Sequence, residues 1–178
     1  MSAIRRLNFF GGPGSGKSTI ASRVFAELKI RGYDIEHIPE FVKTWAYEGR
    51  KPRSYDQLYI FAQQLHMEDL ALRHVARVVT DSPVLLSPIY AKLYGFSGAD
   101  RLVELAQQFE QDFPSINFYI ERTVVYQSSG RYQTYAEAVE FDKQLLEFLD
   151  TTVDRYVKVQ VEQFDQMLAL ILQEFAHG

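Results

Sequence analysis

Residues Gly11-Gly12-Pro13-Gly14-Ser15-Gly16-Lys17-Ser18 satisfy the pattern G-x-x-x-x-G-K-[ST], and the segments on either side limit what that loop can be. Arg5–Phe10 reads as a short buried strand, and Lys17–Arg31 as a helix with Ile20, Val24 and Leu28 at helical spacing. A strand that turns through glycines into a helix start is the setting in which backbone N–H groups converge on phosphate oxygens. Glycine admits the positive φ such a turn needs, and the helix dipole favours the negative charge it surrounds. The eight loop residues are therefore candidate contacts to a nucleotide triphosphate. Lys17 would reach the β and γ phosphates and Ser18 would ligate Mg²⁺. Thr19 either touches the α-phosphate or simply opens the helix.

The rest of the chain alternates in the same way. Tyr33–Ile38, Arg77–Thr80, Ile116–Ile120 and Tyr156–Val161 read as further strands. Between them lie a helix capped by Ser54 and running to about Val75, helices around Leu85–Leu93 and Asp100–Phe113, one that starts at Thr134, and a last one over Glu162–Phe175. On the Ser54 helix, Leu58, Phe61, Ala62, Leu65 and Leu72 make the expected core side. Thr134 and Glu137 form a capping-box pattern. Strands separated by helices imply right-handed parallel crossovers, so the expected class is α/β: a five-stranded parallel sheet flanked by helices, in one domain over residues 1–178.

Composition narrows the function classes. The 178 residues contain no cysteine, which excludes a disulfide, a thiolate metal site and a cysteine nucleophile. His37, His66, His74 and His177 show no metal-ligand spacing. The apolar run after Arg6 is too short for a signal-peptide core or a membrane span, so the expected location is the cytoplasm, a host's if the chain is phage-encoded, with no membrane partner. Net charge is −4, against a strongly basic polyanion binder, but residues 132–178 carry nine acids and three bases, leaving the earlier part mildly positive. The sequence sets no oligomeric state.

A GTP-binding switch would need a guanine-reading N-K-x-D, and the chain has none. A remodelling ATPase would follow its strand-end aspartate with a water-activating glutamate, whereas Asp81 precedes Ser82 and Pro83. Carboxylates instead end two strands, Glu40 after the second and Asp81 after the third, on the edge of a parallel sheet that also carries the glycine loop. Phosphoryl transfer demands an in-line hydroxyl, a metal between β and γ oxygens, and cations around the transferred group. Glu40 would orient or deprotonate the hydroxyl and Asp81 would hold Mg²⁺, with the two roles exchangeable. Arg122 and Arg131 flank a polar stretch with Ser128, Ser129 and Gly130, suited to a mobile lid over about 121–133 whose arginines meet the γ-phosphate.

The segments GGPGSGKST, IPEFVKTW and VVTDSP, with an arginine-bearing segment after the fourth strand, resemble the thymidylate-kinase and deoxynucleoside-kinase group of P-loop kinases and the nicotinamide-riboside-kinase type of domain. In that group a glutamate after the second strand serves as base, which the resemblance carries to Glu40. The aspartate of a D-R-[SY]-like motif maps to Asp81, but Ser82 stands where the family has arginine. PEFVKTWAYEGRKP with VVTDSP and GRYQT also looks like a group of bacteriophage P-loop proteins that includes 5-hydroxymethyluracil DNA kinases of thymidine hypermodification. That resemblance implies ATP and Mg²⁺ as cofactors and a thymine-like acceptor in DNA. A free deoxynucleoside monophosphate, deoxynucleoside or nicotinamide riboside is the alternative acceptor, and an ATP-binding regulator without kinase activity the third reading.

Lys43–Tyr55 places Lys43, Arg50, Lys51 and Arg53 among Trp45, Tyr47 and Tyr55, the mixture that grips phosphates and stacks bases. Trp45, Arg50, Lys51, Arg53, Tyr59 and Gln63 are the candidate acceptor contacts. The motif makes one outcome definite: Lys17→Ala abolishes phosphotransfer and weakens ATP binding in calorimetry, and undiminished affinity would remove Lys17 from the phosphate site.

Overall fold

The central strand of the computed structural model, β1 (Arg6–Phe10), lies between β3 (Arg77–Thr80) and β4 (Ser115–Ile120), with β2 (Ile35–Ile38) outside β3 and β5 (Val157–Val159) outside β4. The structure describes residues 3–123 and 134–177. Every pairing is parallel, and the register sets Asn8 beside both Thr80 and Asn117, Ile38 beside Thr80, and Ile120 beside Val159. Strand ends therefore meet on one edge, where the glycine loop, Glu40, Asp81 and Arg122 all emerge. The expected parallel α/β sheet of five strands is the observed one, and the fold is that of a P-loop NTPase.

Side-chain alternation splits the core in two. Leu7 and Phe9 of β1, with Phe118 and Ile120 of β4, face α1 (Lys17–Ile30) and α7 (Phe164–His177), meeting Ile20, Val24, Leu168 and Ile171. The opposite face packs against α3 (Asp56–Leu72), α4 (Ser87–Leu93), α5 (Ala99–Asp112) and α6 (Tyr135–Thr152). α6 begins in the expected capping box, Thr134 Oγ1 accepting from the Glu137 N–H at 3.3 Å and Glu137 Oε2 accepting from the Thr134 N–H at 2.7 Å. No helix among the described residues is long and apolar enough to cross a membrane.

The α3 expectation needs correction. Leu58 is 49% exposed and Ala62 is also exposed, while Gln57, Gln64 and Glu68 are buried with Ile60, Phe61 and Leu72. Ser54 does not cap the helix; its hydroxyl donates to the Gly95 carbonyl at 3.1 Å, and the Asp56 carboxylate instead accepts from the Arg53 N–H at 3.0 Å. The rotation follows from β1, whose Arg6 points into the α3 side of the core and is completely buried. Its guanidinium donates through Nε to Glu68 Oε2 at 3.0 Å and through an NH group to Glu110 Oε2 at 2.8 Å. A buried cation without a carboxylate is costly, so α3 presents Glu68 rather than its apolar stripe.

Arg6→Met strands a buried Glu68 carboxylate and should cost about 3–5 kcal/mol in urea unfolding. A loss below about 1 kcal/mol, the scale of exposed ion pairs, would show that the pair does not organise this face.

Candidate active site

The loop between β1 and α1 wraps a cleft of about 260 Å³. Pro13, Gly14, Gly16, Lys17, Ser18 and Thr19 line it, while Gly11, Gly12 and Ser15 are buried behind. Gly16, at the α1 N-cap, has φ of 100°, a conformation that side chains other than glycine's rarely adopt, and a Cβ there would meet Val161 Cγ1 at 2.8 Å. Lys17 Nζ donates to the Gly12 carbonyl at 3.0 Å, folding the side chain back along the loop.

Glu40 and Asp81 line the same cleft as Lys17 and Ser18. Burial pushes the Glu40 carboxyl above its usual range, Asp81 adds to the rise, and the ammonium groups of Lys17 and Lys43 oppose it. Burial likewise lowers Lys17, against the pull of Glu40, Asp81 and Asp142. Asp81 is 5% exposed, and its Oδ1 has no hydrogen-bond partner among the described residues. A buried, unsatisfied carboxylate oxygen in the same wall as the Ser18 hydroxyl fits a hard divalent cation that takes few protein ligands and keeps phosphate and water oxygens. Among the described residues no group of three or more His, Asp or Glu side chains could hold a metal ion.

Arg122 stands elsewhere than the sequence reading put it. Its Nε donates to Asp142 Oδ2 at 2.8 Å and another guanidinium N–H donates to the Pro13 carbonyl at 2.8 Å. Asp142, on α6, accepts from the Gly12 N–H at 2.7 Å through Oδ1. The approach leaves no room for a side chain at Gly12, where a Cβ would lie 2.2 Å from Asp142 Oδ1. Arg122 thus clamps the back of the loop to α6 and does not line the cleft. Most of the expected lid, with Arg131, lies outside the described residues.

The acceptor side also differs. α2 (Lys43–Tyr47) occupies part of the stretch read as a basic–aromatic loop. Trp45 is buried and stacks on Tyr59 with centroids 6.2 Å apart, and Phe41 sets its edge against both rings. Arg50 lies over the Trp45 ring at 3.4 Å and pairs with Asp56 at 3.2 Å. These rings hold α2 to α3 from behind, so Trp45, Tyr59 and Gln63 do not line the cleft. Arg50, Lys51 and Arg53 line a separate shallow depression that meets the cleft at Pro52.

The acceptor wall is instead Val42, Lys43, Ala46, Tyr47, Gln57, Ile60, Ser87, Tyr90 and Tyr94. The sequence reading missed most of these. Gln57 and Ile60 lie on α3 outside the side that helical spacing marks as core, and nothing in a single sequence distinguishes Tyr90, stacked on Phe141 at 4.6 Å, from a packing residue. Burial raises the Tyr90 phenol well above its ordinary range, with Glu40 reinforcing, so it stays a neutral donor.

A family model described as an AAA domain, AAA_28, matches residues 6–166. The fold is similar to that of a NadR protein solved in complex with NR (TM-score 0.75, 16% identity, 97% of this chain and 52% of that one). It is also similar to a deoxyadenosine kinase from M. mycoides with dCMP and dCDP products (TM-score 0.60, 18% identity, 97% and 100%). The APS kinase CysC of Mycobacterium tuberculosis aligns with a TM-score of 0.54 at 13% identity over 99% of both chains. A search of curated protein sequences finds no match to this chain.

The raised Glu40 pKa has a definite sign. The folded state holds that proton more tightly than the unfolded chain, so ionisation removes stability as pH rises above the ordinary 4.5. Glu40→Gln should melt higher than wild type at pH 8, the advantage shrinking away as pH falls toward 4.5. Thermal scans across that range check it; a melting temperature at or below wild type at pH 8 would contradict it.

Proposed function

This chain is a member of the AAA_28 family of AAA domains, and on that fold we propose that it is an ATP-dependent kinase whose acceptor is the hydroxyl of a thymine-like nucleotide. The observation that carries the reading is the single cleft in which Lys17 and Ser18 face the carboxylates of Glu40 and Asp81. Lys17 and the loop N–H groups hold the β and γ phosphates. The acceptor hydroxyl lies on the Glu40 side, its oxygen bonding to the γ-phosphorus as the bond to the β–γ bridging oxygen breaks. ADP departs and Glu40 takes the hydroxyl proton. Ser18 and Asp81 would hold Mg²⁺, which when bound would neutralise phosphate charge. Water activation without an acceptor has no second carboxylate dedicated to it in the motif, which favours transfer over hydrolysis.

The acceptor form we propose is 5-hydroxymethyluracil in DNA. Tyr47, Ile60, Tyr90 and Tyr94 offer flat apolar surface for a base, and Gln57 an amide for its edge. A base in a polymer leaves the stack to enter such a cleft, and its flanking phosphates remain outside. Arg50, Lys51 and Arg53 line the depression next to the cleft mouth, beside exposed Tyr55 and Tyr47, where those phosphates would lie. A free deoxynucleoside, deoxynucleotide or nicotinamide riboside is the second reading, favoured by a cleft whose volume is near that of small-molecule pockets.

Transfer of labelled γ-phosphate separates these. Label on DNA containing 5-hydroxymethyluracil, little on monomers, and affinity that falls as salt rises are expected. Label on monomers alone would reject the polymer acceptor, and none on any acceptor would reject the kinase in favour of a nucleotide-binding regulator.

A further inference from the structure

Beneath the cleft, one buried stripe of α3 reaches both loops that carry the site's carboxylates. Gln64 is 2% exposed, and its Oε1 accepts from the Phe41 N–H at 3.1 Å. That N–H belongs to the peptide joining Glu40 to Phe41, so the bond fixes the plane from which the Glu40 side chain departs. The other end of the same amide donates to Glu68 Oε1 at 3.4 Å. Glu68 is fully buried, and Oε1 also accepts from the Val84 N–H at 3.1 Å, at the far end of the turn that begins with Asp81. Its other oxygen is held by Arg6, on the strand that leads into the glycine loop. One amide and one carboxylate, a helical turn apart, thus tie the β2 loop, the β3 loop and β1 together.

We propose that Gln64 and Glu68 are positioning residues of the phosphotransfer site, holding the Glu40 and Asp81 loops at a fixed separation across Lys17. The inference rests on the catalytic reading of Glu40 given above. Neither side chain lines the cleft, so both act through the backbone they hold. Helix propensity does not require them, since alanine would serve α3 better and leucine about as well. An apolar pair would take Glu68 away from the buried Arg6 guanidinium and would leave the Phe41 and Val84 N–H groups without acceptors. A displacement of about 1 Å at a reacting group costs as much as 10²-fold in rate, which gives such an anchor a catalytic consequence beyond stability.

The test is a double-mutant cycle in the full chain. Gln64→Met keeps the volume and removes both hydrogen bonds. It should lower kcat roughly 10- to 100-fold, leave ATP affinity in calorimetry within about twofold, since the loop around Lys17 is intact, and speed hydrogen exchange at the Phe41 amide. In a Glu40→Gln background the same change should bring little further loss, because a residue acting through Glu40 has nothing left to act on. Full turnover in Gln64→Met, or a double variant slower by the product of the two single effects, would overturn the proposal. Should Gln64→Met fail to retain ATP, Gln64→Asn, one methylene short of Phe41, takes its place with the same expectations. If Glu40→Gln alone keeps full turnover, the base assignment falls separately. Amide exchange then decides the anchor: acceleration at Phe41 upholds it, and an unchanged rate overturns it.

Discussion

A fully buried guanidinium on the central strand sets the terms for the rest of this fold. Arg6 points into the α3 side of the sheet, where no water reaches it, so a carboxylate must come to it. Glu68 and Glu110 do so from two different helices, and the orientation of α3 follows. Turned to supply Glu68, the helix also buries Gln57 and Gln64 and leaves Leu58 toward solvent. The usual partition of a surface helix into apolar inside and polar outside is thereby reversed along a stripe that runs beneath the cleft. That stripe gives the strand-end loops hydrogen-bond acceptors that an apolar helix face could not provide.

The cleft itself is an arrangement of charges held together against their preferences. Two carboxylates and an ammonium group share a partly enclosed space, and burial opposes ionisation of both Glu40 and Lys17. Folding alone gains little from this; the arrangement makes sense for ligands that bring negative phosphate oxygens and a hydroxyl proton. The glycine loop must leave its N–H groups open to a ligand, so its support comes from behind. Asp142 accepts from Gly12, and Arg122 joins Asp142 to the Pro13 carbonyl, so the loop is braced by α6. Arg122 is a brace because its donors are already occupied by these partners, which a loop-borne arginine aimed at phosphate would not be.

The glycine loop, the parallel five-stranded sheet and the convergence of Glu40 and Asp81 were legible in the chain because each rests on local pattern. A strand, a turn and a helix start carry their own signatures, and parallel register then puts the strand ends together. The capping box at Thr134 was legible for the same reason. What escaped notice depends on partners distant in sequence. Nothing near Arg122 announces Asp142, and nothing near Glu68 announces Arg6. Trp45 reads as a ligand contact because an aromatic residue among basic ones suits nucleic acid equally well, and Tyr59 as a helix residue reaching the acceptor, yet here the two rings stack on each other to fasten α2. Leu58 and Ala62 read as core because helical spacing counts apolar residues without knowing that the facing strand holds a charge.

The central claim is spatial: one cleft holds a triphosphate on the glycine loop and presents Glu40 to an alcohol beyond its γ-phosphate. A crystal structure with magnesium and a non-hydrolysable ATP analogue tests it most directly. The account predicts β and γ phosphates on the N–H groups of Gly14–Ser18 with Lys17 against them, and the Glu40 carboxylate in the open space past the terminal phosphorus. A triphosphate bound away from this loop, or a Glu40 carboxylate turned out of the cleft, would contradict it.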